Sequence, residues 1–279
     1  MTLDFPASAC RLKPRFRSGA ACRAALVGAF VAGCVWPAAS IVDGVEVRPG
    51  EPASSWTVLV ESAGGRICSG AVIHNTLVLT AAHCTLGGAR LTVAFDVGGA
   101  QPPAPLTVVE IIRHPSFKPD QQPRFQTGVD LALLRTGADF PPHAKPIEID
   151  PNDVELNAPL HVFGFGSAEE GDISSARILR RATLEHVGVY RHSSGATAQF
   201  AQDPDTKAQK AGKGACGGDS GGPVVFGPQH KGGLVGILSW STGPASSRCG
   251  AYSAFVPLST HAQWITDTAT AMLRSQSTR

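Results

Sequence analysis

From Ile41 onward the apolar positions fall in short runs, and Gly, Pro, Asn and Ser clusters separate them. Trp56–Val60, Ile67–Ile73, Leu77–Thr80, Leu91–Phe95 and Leu106–Ile112 are such runs, and Leu131–Leu134 closes this half. They are rich in Val, Ile, Leu and Thr, which fit a pleated, half-buried surface. The polar, Pro-containing stretch Pro141–Pro159 interrupts the pattern, which then restarts. Leu160–Phe163, Ile178–Val189, Gly222–Phe226, Leu234–Trp240 and Tyr252–Val256 are the strands predicted in the second half. Only the C-terminus reads as helix: Thr260–Leu273 carries Trp264, Ile265, Ala269 and Met272–Leu273 at roughly one-turn spacing. There is no exact repeat and no low-complexity tract, yet the two halves could be the same architecture twice.

Composition agrees with an all-β chain. Of 279 residues, 43% are hydrophobic and 16% charged, which excludes disorder. Glycine (31) and proline (21) are frequent enough to serve many turns. The net charge of +2 is unevenly placed. Arg11, Lys13, Arg15, Arg17 and Arg23 face only Asp4 within residues 1–40, which leaves the remainder slightly acidic at −2. No basic stripe is left there for nucleic acid.

That basic start runs into Ala24–Val35, twelve apolar residues, where a bilayer-spanning helix needs about 20. A charged segment, a short apolar segment and small residues at Ala38 and Ser40 form the pattern of a secretory signal peptide over residues 1–40. The expected destination is outside the cell or the periplasm. Val31-Ala32-Gly33-Cys34 competes for the same segment, because it resembles a bacterial lipobox. A lipid on Cys34 would anchor the chain to the cell envelope, and it is the only membrane attachment expected.

Seven cysteines occur. Cys10, Cys22 and Cys34 lie in the leader, leaving Cys68, Cys84, Cys216 and Cys249, an even number that suits an oxidising compartment. Four cysteines allow three pairings. Neither Cys-x-x-Cys nor His-x-x-x-His spacing occurs among them, so no metal is expected. No cofactor is expected either.

The chemistry concentrates in Lys213–Pro223, Lys-Gly-Ala-Cys-Gly-Gly-Asp-Ser-Gly-Gly-Pro. Gly217, Gly218, Gly221 and Gly222 surround Ser220 with backbone free to turn tightly. A turn of this kind aims the N–H groups of Gly218 and Ser220 at the spot the Ser220 hydroxyl faces. One such oxyanion donor is worth roughly 3–4 kcal/mol in the transition state. A serine also needs a base, and the base needs a third group to fix its tautomer. His83 in Thr80-Ala81-Ala82-His83-Cys84 and Asp130 in Asp130-Leu131-Ala132-Leu133-Leu134 fill those roles. The other eight histidines read as surface or structural.

Together these segments resemble the chymotrypsin/trypsin family of serine endopeptidases. The resemblance spans residue 41 to about 270 and includes Gly164-Phe165-Gly166, Gly218–Pro223, Ser239-Trp240 and the terminal helix with Trp264. Separations of 47 residues from His83 to Asp130 and 90 from Asp130 to Ser220 suit it. It implies two antiparallel six-stranded barrels, here 41–150 and 151–279 with the helix, and a cleft between them holding the triad. It implies disulfides Cys68–Cys84 and Cys216–Cys249, a serine endopeptidase acting on proteins or peptides, protein inhibitors as partners, and a monomer. Missing cysteine pairs common in animal relatives, taken with the lipobox, point to a bacterial source. Asp96 is the main carboxylate in Phe95–Leu106, so the family's calcium loop is not expected.

The resemblance also implies an activation pair. A freed Ile41 ammonium, at the start of Ile41-Val42-Asp43-Gly44, would enter the protein and meet the Asp219 carboxylate. Ser40 precedes Ile41 where the family has Arg or Lys, so a signal peptidase cut at that bond would release active enzyme directly. The specificity pocket aligns Gly214 and Ala215 with one side of the floor, Gly250 with the other, and Ser241 with the wall. Ser239 and Trp240 align with the segment that binds substrate backbone. No carboxylate aligns to receive Lys or Arg, so an apolar residue before the scissile bond is expected. A catalytically silent binding protein on the same scaffold is the alternative. An esterase of another fold would place Ser before Asp and His in chain order, the reverse of this chain.

Overall fold

The computed structural model describes residues 41–88, 90–95, 104–228 and 232–277. The leader, Cys34, Asp96 and most of the loop that follows it lie outside those residues. Thirteen strands and two α-helices are found among the described residues.

The first half forms β2 (Thr57–Ser62), β3 (Ile67–His74), β4 (Leu77–Thr80), β5 (Leu91–Ala94), β6 (Leu106–Arg113) and β7 (Ala132–Thr136). They pair antiparallel in the order β2-β3-β4-β7-β6-β5 and close into a six-stranded barrel through β2 and β5. The second half forms β8 (Pro159–Gly164), β9 (Arg180–Arg191), β10 (Thr197–Gln202), β11 (Pro223–Phe226), β12 (Gly233–Ser241) and β13 (Tyr252–Pro257). These run β9-β10-β13-β12-β11-β8, and β8 pairs back onto β9, which closes a second barrel. The expected two-barrel architecture is what forms. Closure leaves no barrel edge to be covered.

Two short elements were not foreseen. A two-residue strand β1 (Val45–Glu46) adds to the outside of β9, so the chain's first described residues join the second barrel although they precede the first. A four-residue helix α1 (Ala53–Trp56) occupies the approach to β2, where the apolar run beginning at Trp56 reads as strand. The terminal helix α2 (Ala262–Ser277) returns to the first barrel. Its Ile265 and Met272 are buried in one core with Val58, Leu79, Leu133 and Phe163. A second core inside the other barrel gathers Ile41, Leu160, Val162, Leu184, Val224 and Phe255. Among the described residues no helix is long and apolar enough to cross a membrane.

Candidate active site

The ladder between β4 and β7 pairs Thr80 with Ala132. His83 lies three residues past Thr80 and Asp130 two residues before Ala132, so both emerge at one end of the first barrel. A 3-10 turn, Ala82–Thr85, carries His83. Cys84 in that turn is joined to Cys68 on β3, which pins the turn to the barrel. Asp130 is 2% exposed. Its Oδ1 accepts the His83 backbone N–H at 2.9 Å, and its Oδ2 lies 2.7 Å from His83 Nδ1. Oδ2 also accepts the Ser239 hydroxyl at 2.5 Å. Burial alone would raise the Asp130 pKa. The charge and hydrogen bonds of His83, with the Ser239 bond, outweigh burial and hold the carboxyl below the ordinary aspartate value.

Ser220 comes from the other barrel, just before β11. Its carbonyl accepts the Ser69 N–H of β3 at 2.8 Å, which ties the loop to the first barrel. Its hydroxyl donates to the Ser239 carbonyl at 3.1 Å. Ser220 and His83 line the same cleft, about 810 Å³, with Ala215, Gly217, Trp240 and Ser241. Gly218 has φ +101°, and a Cβ there would come within 2.8 Å of Gly166 Cα. Among the described residues no protein acceptor takes the N–H of Gly218 or of Ser220. The residue between them, Asp219, turns inward and is fully buried. Its oxygens accept the N–H groups of Gly166 and Cys216, each at 2.8 Å. Burial pushes its pKa up to about 7, against the pull of those two donors and of the Arg180 charge.

Cys216 pairs with Cys249, so both disulfide pairings are those expected. Cys68, His83 and Cys84 have ligand atoms within 4.8 Å of one another, but the two sulfurs are bonded to each other, so no thiolate is offered to a metal. Residues 41–265 match the family model for Trypsin. The chain belongs to the trypsin family. Kallikrein-2 of Homo sapiens is 30% identical over 235 residues, covering 76% of this chain and 84% of that protein. Trypsin delta and Trypsin gamma of Drosophila erecta are each 28% identical over 197 residues, 69% of this chain and 75% of each relative.

Within this trypsin-family frame the other residues singled out in the sequence fall in two places. Ala215, Ser239, Trp240 and Ser241 line the cleft. Gly214 and Gly250 stand behind it, and a Cβ on Gly214 would meet Ser253 Oγ at 3.3 Å and Gly250 Cα at 3.6 Å. Ser253 Oγ accepts the Ala215 N–H at 2.9 Å. Ile41 is fully buried in the second core, and Val42 pairs with Gly214 as an isolated antiparallel bridge. Sequence reasoning missed three features. Ser239 serves Asp130 as well as the cleft. Ser69 links the barrels by donating to the Gly218 carbonyl and accepting the Phe165 N–H. Arg180 is only 2% exposed. Ser239 had a signal, since it follows a long apolar run where a polar side chain must find a buried partner.

Proposed function

We propose that this chain is a serine endopeptidase in which Ser220 is the nucleophile, His83 the general base and Asp130 the group that orients His83. The supporting observation is the buried Asp130–His83 pair at the edge of a cleft that also presents Ser220 and two N–H groups without protein acceptors. Ser220 Oγ turns from the Ser239 carbonyl toward His83 as substrate enters. Its oxygen bonds to the peptide carbonyl carbon while its proton passes to His83 Nε2. The carbonyl oxygen becomes an anion held by the N–H groups of Gly218 and Ser220. The C–N bond then breaks, and the amine leaves with the proton from His83. Water, deprotonated by His83, cleaves the acyl ester and restores Ser220. Asp130 stays ionised throughout, which its lowered pKa favours.

The residue before the scissile bond is apolar. Glu170 is the one carboxylate lining the cleft among the described residues, and it accepts the Arg248 N–H at 2.8 Å. Asp203, near the floor, is buried with its Oδ2 on the Lys213 N–H and does not line the cleft. Cleavage of the Ser40–Ile41 bond frees an ammonium that meets Asp219 and fixes the oxyanion loop; the burial of Ile41 and its neighbour's bridge to Gly214 support this. Export follows from the leader pattern, with protein or peptide substrates and protein inhibitors as partners.

A serine-directed phosphonate should label Ser220 in exported protein, and Ser220→Ala should abolish labelling and peptide cleavage. No labelling of intact protein would favour the silent binding protein. A peptide panel varied before the scissile bond should be cut after medium apolar residues, and preferred cleavage after Arg would refute the pocket assignment.

A further inference from the structure

Asp219 has a second possible counter-charge besides the one a cut at Ile41 would free. The β8–β9 register places Gly164 directly opposite Arg180. Directly opposed residues of an antiparallel pair share a face of the sheet. On that face of Gly164 lies Asp219: a Cβ at Gly164 would sit 2.2 Å from Asp219 Oδ1. Gly166, two residues further on, would collide with the same carboxylate at 2.6 Å. Two glycines therefore open a slot for the carboxylate, and the side chain on the neighbouring strand facing that slot is a guanidinium. Arg180 is the largest fully buried side chain described, and its Nη1 donates to the Ser175 carbonyl at 3.1 Å. A guanidinium keeps its charge at any working pH. Its charge acts on Asp219, pulling the carboxyl pKa down against the burial that raises it.

We propose that Arg180 is a positioning residue: a permanent internal cation that favours ionised Asp219, and so holds the oxyanion-hole loop, independently of the Ile41 ammonium. The functional half of this rests on the endopeptidase reading above. The loop depends on the ionised form, because only a carboxylate accepts strongly from both Gly166 and Cys216 at once. Among the described residues Arg180 from β9 is the charge that acts on this carboxylate, and cleavage would add the Ile41 α-amino group. The β8 side contributes glycines, and the Ser220 loop contributes neutral N–H groups. The raised Asp219 pKa means the uncut chain is poised between the two forms near neutrality.

Aspartate-selective carbon-13 labelling of the full chain carrying Ser220→Ala, with Asp219→Asn to assign the resonance, reads the Asp219 titration without any need for activity. Arg180→Met should move its midpoint up by about one pH unit, the low end of what a nearby opposite charge gives. Arg180→Lys should restore most of that shift. Should Arg180→Met fail to fold, Arg180→Gln carries the same expectation. An unmoved midpoint in the neutral variant overturns the proposal. In otherwise intact protein, phosphonate labelling at pH 7 should slow by a larger factor in the uncut chain than in the chain beginning at Ile41. Equal slowing in both would mean that Arg180 does not act through the charge on Asp219 that the Ile41 ammonium otherwise secures, and overturns the proposal. Failure of the parent to label at all would sink the endopeptidase reading while leaving the titration result standing.

Discussion

Ser239 shows how one side chain can serve two purposes. Its hydroxyl completes the donor set on Asp130 Oδ2, and its carbonyl accepts the resting Ser220 hydroxyl. Ser239→Ala removes only the first contact. A hydrogen bond to a charged group is worth about 1.5–3 kcal/mol, so kcat/KM should fall by roughly ten- to a hundredfold. KM should stay nearly constant, because the lost bond acts on His83 orientation and not on substrate. Steady-state kinetics on one peptide checks this; a KM effect with unchanged kcat would place Ser239 on the substrate side alone. Gly221 is stricter. It holds φ +84°, and a Cβ there would lie 2.1 Å from Thr80 Oγ1 and 2.2 Å from the Ser69 carbonyl. Backbone and a buried side chain cannot both retreat from a methyl in a left-handed conformation. Gly221→Ala should therefore abolish activity or soluble yield, while alanine at the unobstructed Gly64, whose nearest neighbour is 3.8 Å away, leaves both intact. At this scale the sequence was most readable where chemistry needs a local pattern. His83, Asp130 and Ser220 each stand in a distinctive short segment. Arg180 stands in Ile-Leu-Arg-Arg, where nothing local tells which of two adjacent arginines points inward.

At the scale of elements, the strand runs mark eleven of the twelve barrel strands, with ends off by one or two residues. The missing one is β10, Thr197–Gln202. Its Thr-Ala-Gln-Phe-Ala-Gln lacks β-branched aliphatic residues, and only Phe200 is large and apolar. Pairing with β9 on one side and β13 on the other makes it a strand, which is tertiary context prevailing over local preference. The helix α2 was legible from its spacing, but not what holds its start. His261 packs on His114 with ring centroids 5.2 Å apart, and Trp264 packs on His114 at 4.7 Å. His261 Nε2 is buried and finds no hydrogen-bond partner among the described residues. Burial lowers both histidine pKa values, that of His261 to about 4 with His114 adding to it. An unfolded histidine takes its proton near 6.5. Between pH 6.5 and about 4 the unfolded chain therefore binds more protons than the folded one, and stability falls as pH falls. Full stability from this cluster is present above 6.5. Allowing for the solvent His261 still sees, the loss by pH 4.5 is on the order of 1–2 kcal/mol. Thermal melts at pH 7.5 and 4.5 should show it, and His261→Gln should flatten the difference; an unchanged slope would mean another group sets the acid limit.

For the whole molecule the connection to follow runs from residues 41–46 to the second barrel, through the Val42–Gly214 bridge and the pairing of β1 with β9. Residues 41–46 precede the first barrel yet pack in and on the second, a contact that the order of elements does not show and that only the family resemblance, through Ile41 and Asp219, led one to expect. In the full chain the Ile41 nitrogen is an amide and carries no charge. Asp219 then loses its proton near 7 in the folded state but near 3.8 when unfolded. Across that interval the unfolded chain binds fewer protons, so the uncut fold weakens as pH rises and stays weakened above 7. About three units correspond to a ceiling of roughly 4 kcal/mol. If freeing Ile41 places a cation beside Asp219, as proposed, it relieves that penalty, and the cut chain should be the more stable one above pH 6. The advantage should grow from pH 5 to 7 and shrink again once the amine itself deprotonates. Calorimetry of Ser220→Ala protein with and without residues 1–40 measures both slopes, and the shorter form should melt several degrees higher at pH 7. Equal melting temperatures at every pH would show that the ammonium does not reach the carboxylate.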